Sequence, residues 1–316
     1  MKTKKTAAAV LAGILLSLLA CGLSGCTTLD AMLYENADRY SAGNTVVTGE
    51  VTAIDVDWGS GKVNLAAHAG ETVSVEETLD DSAKDNLRVH WWLDGTTLRI
   101  KFAASGFRFS YVKEGQKELT LLVPSAIPLA NVTIRTTSAD VNASYFRTDT
   151  LNISTASGGM NVECDAREIR LSSASGGVYL DPTSAPETVS VSTVSGEIRA
   201  RLNEAGKGTF ESTSGKIELD TGAMEELSVK SVSGSIRLEA DEVPRKGDFR
   251  STSGGVALYV PKGSGFTATV RSFGGRIDSD ISLKRDGSVY TSGDGSAVLQ
   301  VETKSGDVEL WLNEKG

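Results

Sequence analysis

The chain has 316 residues, of which 40% are hydrophobic and 6% aromatic, and its formal net charge is −9. This hydrophobic content is enough for a packed core, and the acidic balance argues against a nucleic-acid-binding protein, which normally carries a clustered basic face. Two histidines and three cysteines leave little material for a metal site or a histidine-based catalytic site, so we expect no cofactor and no metal.

Residues 1–25 have the organisation of a bacterial lipoprotein signal peptide. A lysine-rich start and a largely apolar run, residues 6–23, lead to Leu23-Ser24-Gly25-Cys26. This tetrapeptide resembles a lipobox, in which a peptidase cleaves before a cysteine that carries diacylglycerol. We therefore predict a lipoprotein anchored through Cys26 on the extracytoplasmic side of the cell membrane, or of the outer membrane in a cell with two membranes.

Two alternatives to this reading stay open. Cys21 follows Leu18-Leu19-Ala20 and could be the lipidated residue, or the apolar run could be an uncleaved membrane anchor. In either case the lysines stay in the cytoplasm and the rest of the chain lies outside. Cleavage before Cys26 leaves Cys164 as the one remaining thiol, which we expect to be a small buried hydrophobe.

The next two segments are less regular. We predict that residues 26–45 form a polar tether and that residues 46–128 form an N-terminal β region, either as the first rungs of a larger β fold or as its cap. Within that region, Asp94-Gly95 between two apolar stretches predicts a hairpin turn.

A ten-residue pattern then recurs through residues 129–316: apolar, any, Ser or Thr, any, Ser, Gly, any, apolar, any, apolar. Successive anchors are 18 to 21 residues apart, except for 31 residues between the last two. An isolated copy around Gly61 lies upstream. The anchors of the main series are Ala139, Gly158, Gly176, Gly196, Gly215, Gly234, Gly254, Gly275 and Gly306.

Alternate apolar residues predict strands with one buried face, and each Ser-Gly predicts a turn in which Gly adopts a positive φ. The chain is therefore predicted to be all-β, a parallel β-helix or β-solenoid with rungs of about 19 residues that stack in chain order. By the same alternation, Ser231 and Ser233 point inward with Val229, where stacked hydroxyls can satisfy one another. The 31-residue interval predicts a projecting hairpin, and residues 311–316 are expected to close the last edge.

Residues 45–316 resemble a bacterial family known as the putative-adhesin domain, a β-strand repeat without an assigned activity. The features that match are 54–61, the hairpin ending at Ile100, the segment 117–124 and the Ser-Gly copies. The resemblance implies a β-helical fold and a location in the cell envelope, and it supplies no catalytic residues.

The sequence contains no clear catalytic site. His68 and His90 have no partner at ligand spacing, and Gly293-Asp-Gly295 has no second copy to complete a calcium site. Parallel β-helices can carry polysaccharide lyases or hydrolases, but rungs this short leave no loops for a cleft, and the outward positions carry no ladder of carboxylates.

One outward stripe combines small residues with cations and is our candidate binding face: Arg135, Lys230, Arg250, Arg271 and Phe273. We expect a non-catalytic surface for adhesion or scaffolding that binds an envelope polymer or protein. The alternatives are an envelope-stress module that binds a lipid, peptide or partner protein and, third, a carbohydrate-active enzyme.

Overall fold

A computed structural model describes residues 32–79, 83–107 and 117–313. Cys21, Cys26 and the predicted signal peptide lie outside these residues. The described residues form β-strands and two short 3-10 helices, Ala37–Arg39 and Asp85–Leu87, so the prediction of an all-β solenoid is confirmed. The chain divides into two compact units, Met1–Ala166 with Ser172–Ala174, and Arg167–Leu171 with Ser175–Gly316.

Unit 1 contains the first eleven strands, the last of which it shares with unit 2. They are β1 (Ser41–Ala42), β2 (Thr45–Val47), β3 (Ala53–Trp58), β4 (Lys62–His68), β5 (Val73–Thr78), β6 (His90–Asp94), β7 (Thr97–Lys101), β8 (Glu118–Pro124), β9 (Leu129–Thr136), β10 (Asp140–Thr155) and β11 (Met160–Ser173).

Two parallel ladders build unit 1, and each rung contributes one strand to each ladder. The first ladder has the order β7, β3, β9 and the second half of β10; the second has β8, β4 and the first half of β10. The burial pattern of β3 alternates strictly, with Ile54, Val56 and Trp58 buried. Aliphatic side chains from both ladders therefore fill the interior.

Residues 46–128 supply both rungs and a cap. The rung β3–β4 lies between the rung β7–β8 and the later strands, although it comes first in the chain. Antiparallel strands cover the outer rung, because β6 pairs with β7 across the predicted Asp94-Gly95 turn and β5 pairs with β8. The covered edges leave fewer unpaired backbone groups.

The predicted tether is wrong for its described part, because residues 32–45 belong to unit 1 and pair with its strands. Met32 forms a bridge with Phe107, and β1 pairs with β6. The ring of Tyr40 lies 4.9 Å from that of Tyr34 and 5.7 Å from that of Trp92. These aromatic contacts hold the segment 32–45 against the solenoid. The polar composition of the segment did not indicate them.

Unit 2 contains the remaining strands and a part of β11. They are β12 (Val178–Leu180), β13 (Thr188–Thr193), β14 (Ile198–Ser212), β15 (Ile217–Ser231), β16 (Ile236–Ala240), β17 (Lys246–Ser251), β18 (Val256–Val260), β19 (Phe266–Ser272), β20 (Ile277–Ser279), β21 (Lys284–Asp286), β22 (Val289–Ser292), β23 (Ala297–Thr303) and β24 (Val308–Leu312).

Stacking in chain order holds for most of unit 2 and fails at its C-terminal end. One ladder, which we call the Lys230 ladder, has the order β13, β14, β15, β17, β23, β19; the other, the Arg237 ladder, has β12, β14, β15, β16, β18, β24, β20. The last rung of the chain, β23–β24, is thus inserted between the two rungs that precede it. The expectation that residues 311–316 close the outer edge is therefore wrong for its described part, residues 311–313.

The outer edge is instead covered by the predicted hairpin. Strands β21 and β22 pair with each other, and β22 also pairs antiparallel with β19. The hairpin therefore does not only project from the solenoid, because β22 also covers half of the exposed edge of β19.

The corner glycines serve a different purpose from the one predicted. None of the eight corner glycines from Gly158 to Gly306 has a positive φ. A Cβ atom at Gly215 would overlap the carbonyl oxygen of Gly196, and one at Gly234 would overlap that of Gly215. Glycine is required because backbones of successive rungs approach so closely at this corner.

The prediction for the inward hydroxyls holds only in part: the first position of the repeat is buried and the second is exposed, and the hydroxyl of Ser231 itself has no hydrogen-bond partner in the described part of the chain. Ser231 is buried, whereas Ser233 is exposed, because the strand ends at Ser231 and the alternation stops at the corner. At the buried position, Thr303 accepts a hydrogen bond from the N–H of Gly306 at 2.9 Å and donates to the carbonyl of Gly254 at 3.2 Å. In the same way, Ser251 accepts from the N–H of Gly254 and donates to the carbonyl of Gly234. Ser272 accepts from the N–H of Gly275 and donates to the carbonyl of Gly306.

Candidate functional site

Three of the predicted binding residues share one outward row of the Lys230 ladder. Lys230 lies beside Arg250 in the register of β15 and β17. Glu302 of the inserted strand β23 then separates Arg250 from Arg271. The sequence spacing placed Arg250 next to Arg271, so the acidic residue between them could be found only from the strand order.

Ion pairs reduce the positive charge of this row at one end. The Nζ atom of Lys230 lies 3.5 Å from Glu211, and Nε of Arg250 lies 2.6 Å from Asp248. Among the described residues, no ion pair joins Arg271 or Lys304 to an acidic side chain, and both side chains are exposed.

Phe273 extends the outermost rung of the same ladder. Its N–H bonds the carbonyl of Thr303, which aligns Phe273 with Lys304 on the neighbouring strand. The side chain is 74% exposed. Phe273 follows Arg271 by two residues and is aligned with Lys304, and these three residues, which Glu302 adjoins, form the cationic–aromatic end of the row.

Arg135, the remaining predicted residue, lies on β9 of unit 1. Its guanidinium bonds Asp55 and Asp57, which also pair with Arg99 and Lys101. Burial alone would raise the pKa of Asp57, but the hydrogen bond from Arg135 and the charge of Lys101 lower it overall. Arg135 is therefore part of a compact charge network on β3, β7 and β9.

A buried charge centre in unit 1 was not predicted from the sequence. The ammonium group of Lys117 lies 3.1 Å from Glu77, and both side chains are almost fully buried. It also donates to the carbonyl of Leu87 at 2.5 Å and lies 4.4 Å from the ring centre of Phe102. Burial is the main cause that lowers the pKa of Lys117, to about 8, and attraction to Glu77 partly opposes it.

The histidines and the cysteine have local structural roles. Both ring nitrogens of His68 contact the backbone of its own turn, and Nδ1 of His90 contacts the carbonyl of Arg88. Cys164 is fully buried, and burial raises the pKa of its thiol to about 12, as expected for a small hydrophobe. Within the described ranges, no cluster of His, Cys, Asp and Glu has a geometry suited to a metal ion.

Each unit of the molecule is a parallel β-solenoid with outward rows of charged and aromatic side chains. A family model described as Toastrack DUF4097 matches residues 51–311. The chain belongs to this family, which confirms the resemblance to the family of domains known as putative adhesins. None of the curated proteins matches the chain.

Solved structures with distant similarity carry related names. One is a "putative cell adhesion protein" from Clostridium sporogenes ATCC 15579, with 11% identity, 87% of this chain and 100% of that chain covered, and a TM-score of 0.28. Another is a "putative adhesin" from Bacteroides fragilis NCTC 9343, which is 12% identical, with a TM-score of 0.41. The match covers 86% of this chain and 97% of that chain. In the described part of the chain, no helix has the length and apolar character needed to span a membrane.

Proposed function

We propose that the chain is a lipid-anchored protein of the cell envelope that presents a non-catalytic binding surface, for adhesion or scaffolding. Membership of a family of solenoid domains and the resemblance of Leu23-Ser24-Gly25-Cys26 to a lipobox support this proposal. The observation that carries it is the cationic–aromatic end of the Lys230 ladder, where exposed Phe273 follows Arg271 by two residues and is aligned with Lys304.

This end suits an anionic polymer or an acidic protein surface. Arg271 and Lys304 attract negative charge, while the ring of Phe273 supplies apolar contact area. A row of parallel strands holds the Cα atoms of neighbouring residues about 4.8 Å apart, so the backbone needs no rearrangement when a partner binds.

Catalysis is not part of the proposal. The ring nitrogens of His68 and one nitrogen of His90 already contact backbone groups. In the described part of the chain, the neighbouring carboxylates Asp55 and Asp57 are paired with Arg and Lys side chains, whereas a glycosidase needs a free pair of carboxylates.

Charge reversal tests the surface. Replacing Lys230, Arg250 and Arg271 by Glu should weaken binding of the protein to isolated envelope fragments at least tenfold, and 0.5 M salt should weaken binding of the unchanged protein. Reversal of Arg199 and Arg201, which lie on the other ladder, is the matched control. Equal binding of all these variants would exclude the Lys230 row.

Lipidation is tested separately. Cys26→Ser should abolish incorporation of labelled fatty acid and leave the precursor uncleaved, because the peptidase cleaves only before a cysteine that carries diacylglycerol. Incorporation of label at wild-type level, or cleavage of the variant at the wild-type position, would contradict a lipid anchor at Cys26.

A further inference from the structure

The outward surface of the second ladder of unit 1 changes character along its strands. The row at the Ser-Gly corner is charged and consists of Glu118, Lys62 and Asp140. Further along the same strands, an outward row carries no charge, and it extends across five adjacent strands, a length of about 19 Å. This uncharged row consists of Val46 of β2, Ser74 of β5, Leu122 of β8, Ala66 of β4 and Ser144 of β10.

Large apolar side chains are exposed at both ends of the uncharged row. Val46, at the outer end, is 58% exposed, and Tyr145, just beyond the inner end, is 68% exposed. Ile127, in the connection from β8 to β9, is 54% exposed. It lies at the same corner as Tyr145, since both residues shortly precede the paired residues Leu129 and Thr148. We define the apolar strip as Val46, Leu122, Ala66, Tyr145 and Ile127.

The backbone at Tyr145 indicates that this ring has a purpose outside the core. Its φ is 57°, in the left-handed region where a bulky residue is strained. Among the described residues, Asn36 is the only other non-glycine residue with a positive φ. At this bend Phe146, and not Tyr145, is fully buried. Backbone strain of this kind is concentrated at binding surfaces, where it holds a side chain in a required position.

The proposed anchor keeps this part of the molecule close to a membrane. Met32 forms a bridge with Phe107 of unit 1, and five residues separate Met32 from Cys26. Even a fully extended chain of this length spans only about 20 Å. A lipid on Cys26 therefore holds unit 1 beside the bilayer. The apolar strip begins on β2, the strand of the second ladder that follows Met32 most closely in the chain.

We propose that the apolar strip docks unit 1 on the lipid surface of the membrane that holds its anchor. The inference rests on the proposed lipidation of Cys26 and adds the face of unit 1 that meets the bilayer. Burial among acyl chains stabilises exposed aliphatic side chains such as Val46 and Ile127. A tyrosine suits the boundary, because its ring is buried while its hydroxyl stays in contact with water.

The charge distribution and the tether favour a lipid surface over another partner. An uncharged row can approach acyl chains without the large cost of burying a charge. The rows of Glu118, Lys62 and Asp140 at the other end of the strands would remain in water. A protein partner would have to diffuse to the strip, whereas the tether keeps the bilayer within its reach.

The experiment uses the lipidated protein in phosphatidylcholine vesicles, with a fluorescent label on one introduced thiol. Cys164 is fully buried and Cys26 carries the lipid, so only the introduced thiol reacts. Labels on Val46→Cys and Ile127→Cys should be quenched at least about twofold more by phosphatidylcholine spin-labelled on its acyl chains than a label on Ser157→Cys. Ser157 is an exposed control on unit 1, at the other end of the second half of β10 and about 25 Å from the bend.

A second variant removes the ring without threatening the fold. Tyr145→Gly suits the positive φ, and it should lower the quenching of the label on Val46→Cys at least about twofold. Tyr145→Phe, the matched control, should preserve the quenching. Equal quenching of labels at both ends of β10, in protein that carries labelled fatty acid, would overturn the docking and leave the anchor intact. Protein that carries no fatty acid would overturn the anchor and the docking together.

Discussion

At the scale of single residues, the corners of the solenoid depend on the absence of a Cβ atom. The repeat identified these glycines, but it suggested a positive φ as the reason, because a sequence does not reveal how closely two rungs approach. The structure assigns the requirement to contact between backbones, as at Gly215 and the carbonyl of Gly196.

Close backbone contact predicts a large effect of substitution at Gly215, where a Cβ atom would overlap a neighbouring rung, and a small effect at Gly177, where it would not. Gly215→Ala should lower the free energy of unfolding by about 1–3 kcal/mol, because a backbone carbonyl cannot rotate away from the added methyl group. Gly177→Ala is the control, since its Cβ would lie 3.6 Å from the nearest atom, the carbonyl oxygen of Glu197, and it should cost less than about 0.5 kcal/mol. Urea denaturation measures both, and equal losses would contradict close packing as the reason.

The buried pair of Lys117 and Glu77 gives a prediction about pH. The folded pKa of Lys117 is about 8, below the value of about 10.4 in an unfolded chain. Between these values the unfolded state binds more protons, so the free energy of unfolding should rise as pH increases from 8 to 10. The double variant Lys117→Met, Glu77→Gln should lose this contribution. Identical pH slopes for the variant and the wild type in urea denaturation would contradict it.

At the scale of strands and corners, inward hydroxyls link successive rungs. Thr303→Val keeps the shape but leaves the N–H of Gly306 and the carbonyl of Gly254 without their partner. We expect a loss of about 1–3 kcal/mol in the free energy of unfolding. Thr213→Val, on the outward side between Val194 and Val232 of neighbouring rungs, is the control and should be nearly neutral. A thermal unfolding midpoint unchanged in Thr303→Val would exclude this role.

Most strands could be predicted from the sequence, because alternate apolar residues report a buried face wherever a strand is half-buried. The prediction failed at Ser233, where the strand had already ended, and in residues 32–45, where a few aromatic contacts outweigh a polar composition.

At the scale of the whole molecule, each unit departs from chain order near one end. In unit 1 the rung β3–β4 comes before the rung β7–β8 in the chain, but it lies between that rung and the later strands. In unit 2 the rung β23–β24 lies between two rungs that precede it in the chain. Periodic spacing predicts which segments are rungs but not their order, since all copies present similar edges. For this reason the sequence placed Arg250 next to Arg271 and did not predict Glu302 between them.

Cross-linking is the most direct test of the position of β23 between β17 and β19. Neighbouring parallel strands are about 4.8 Å apart, within the range of Cα separations that a disulfide spans, whereas strands two places apart are about 10 Å apart and cannot be bridged. We predict that Arg250→Cys with Glu302→Cys forms a disulfide on mild oxidation, seen by peptide mapping, and that Arg250→Cys with Arg271→Cys does not. A disulfide in the second pair and none in the first would show that the rungs stack in chain order, and would contradict the fold described for unit 2.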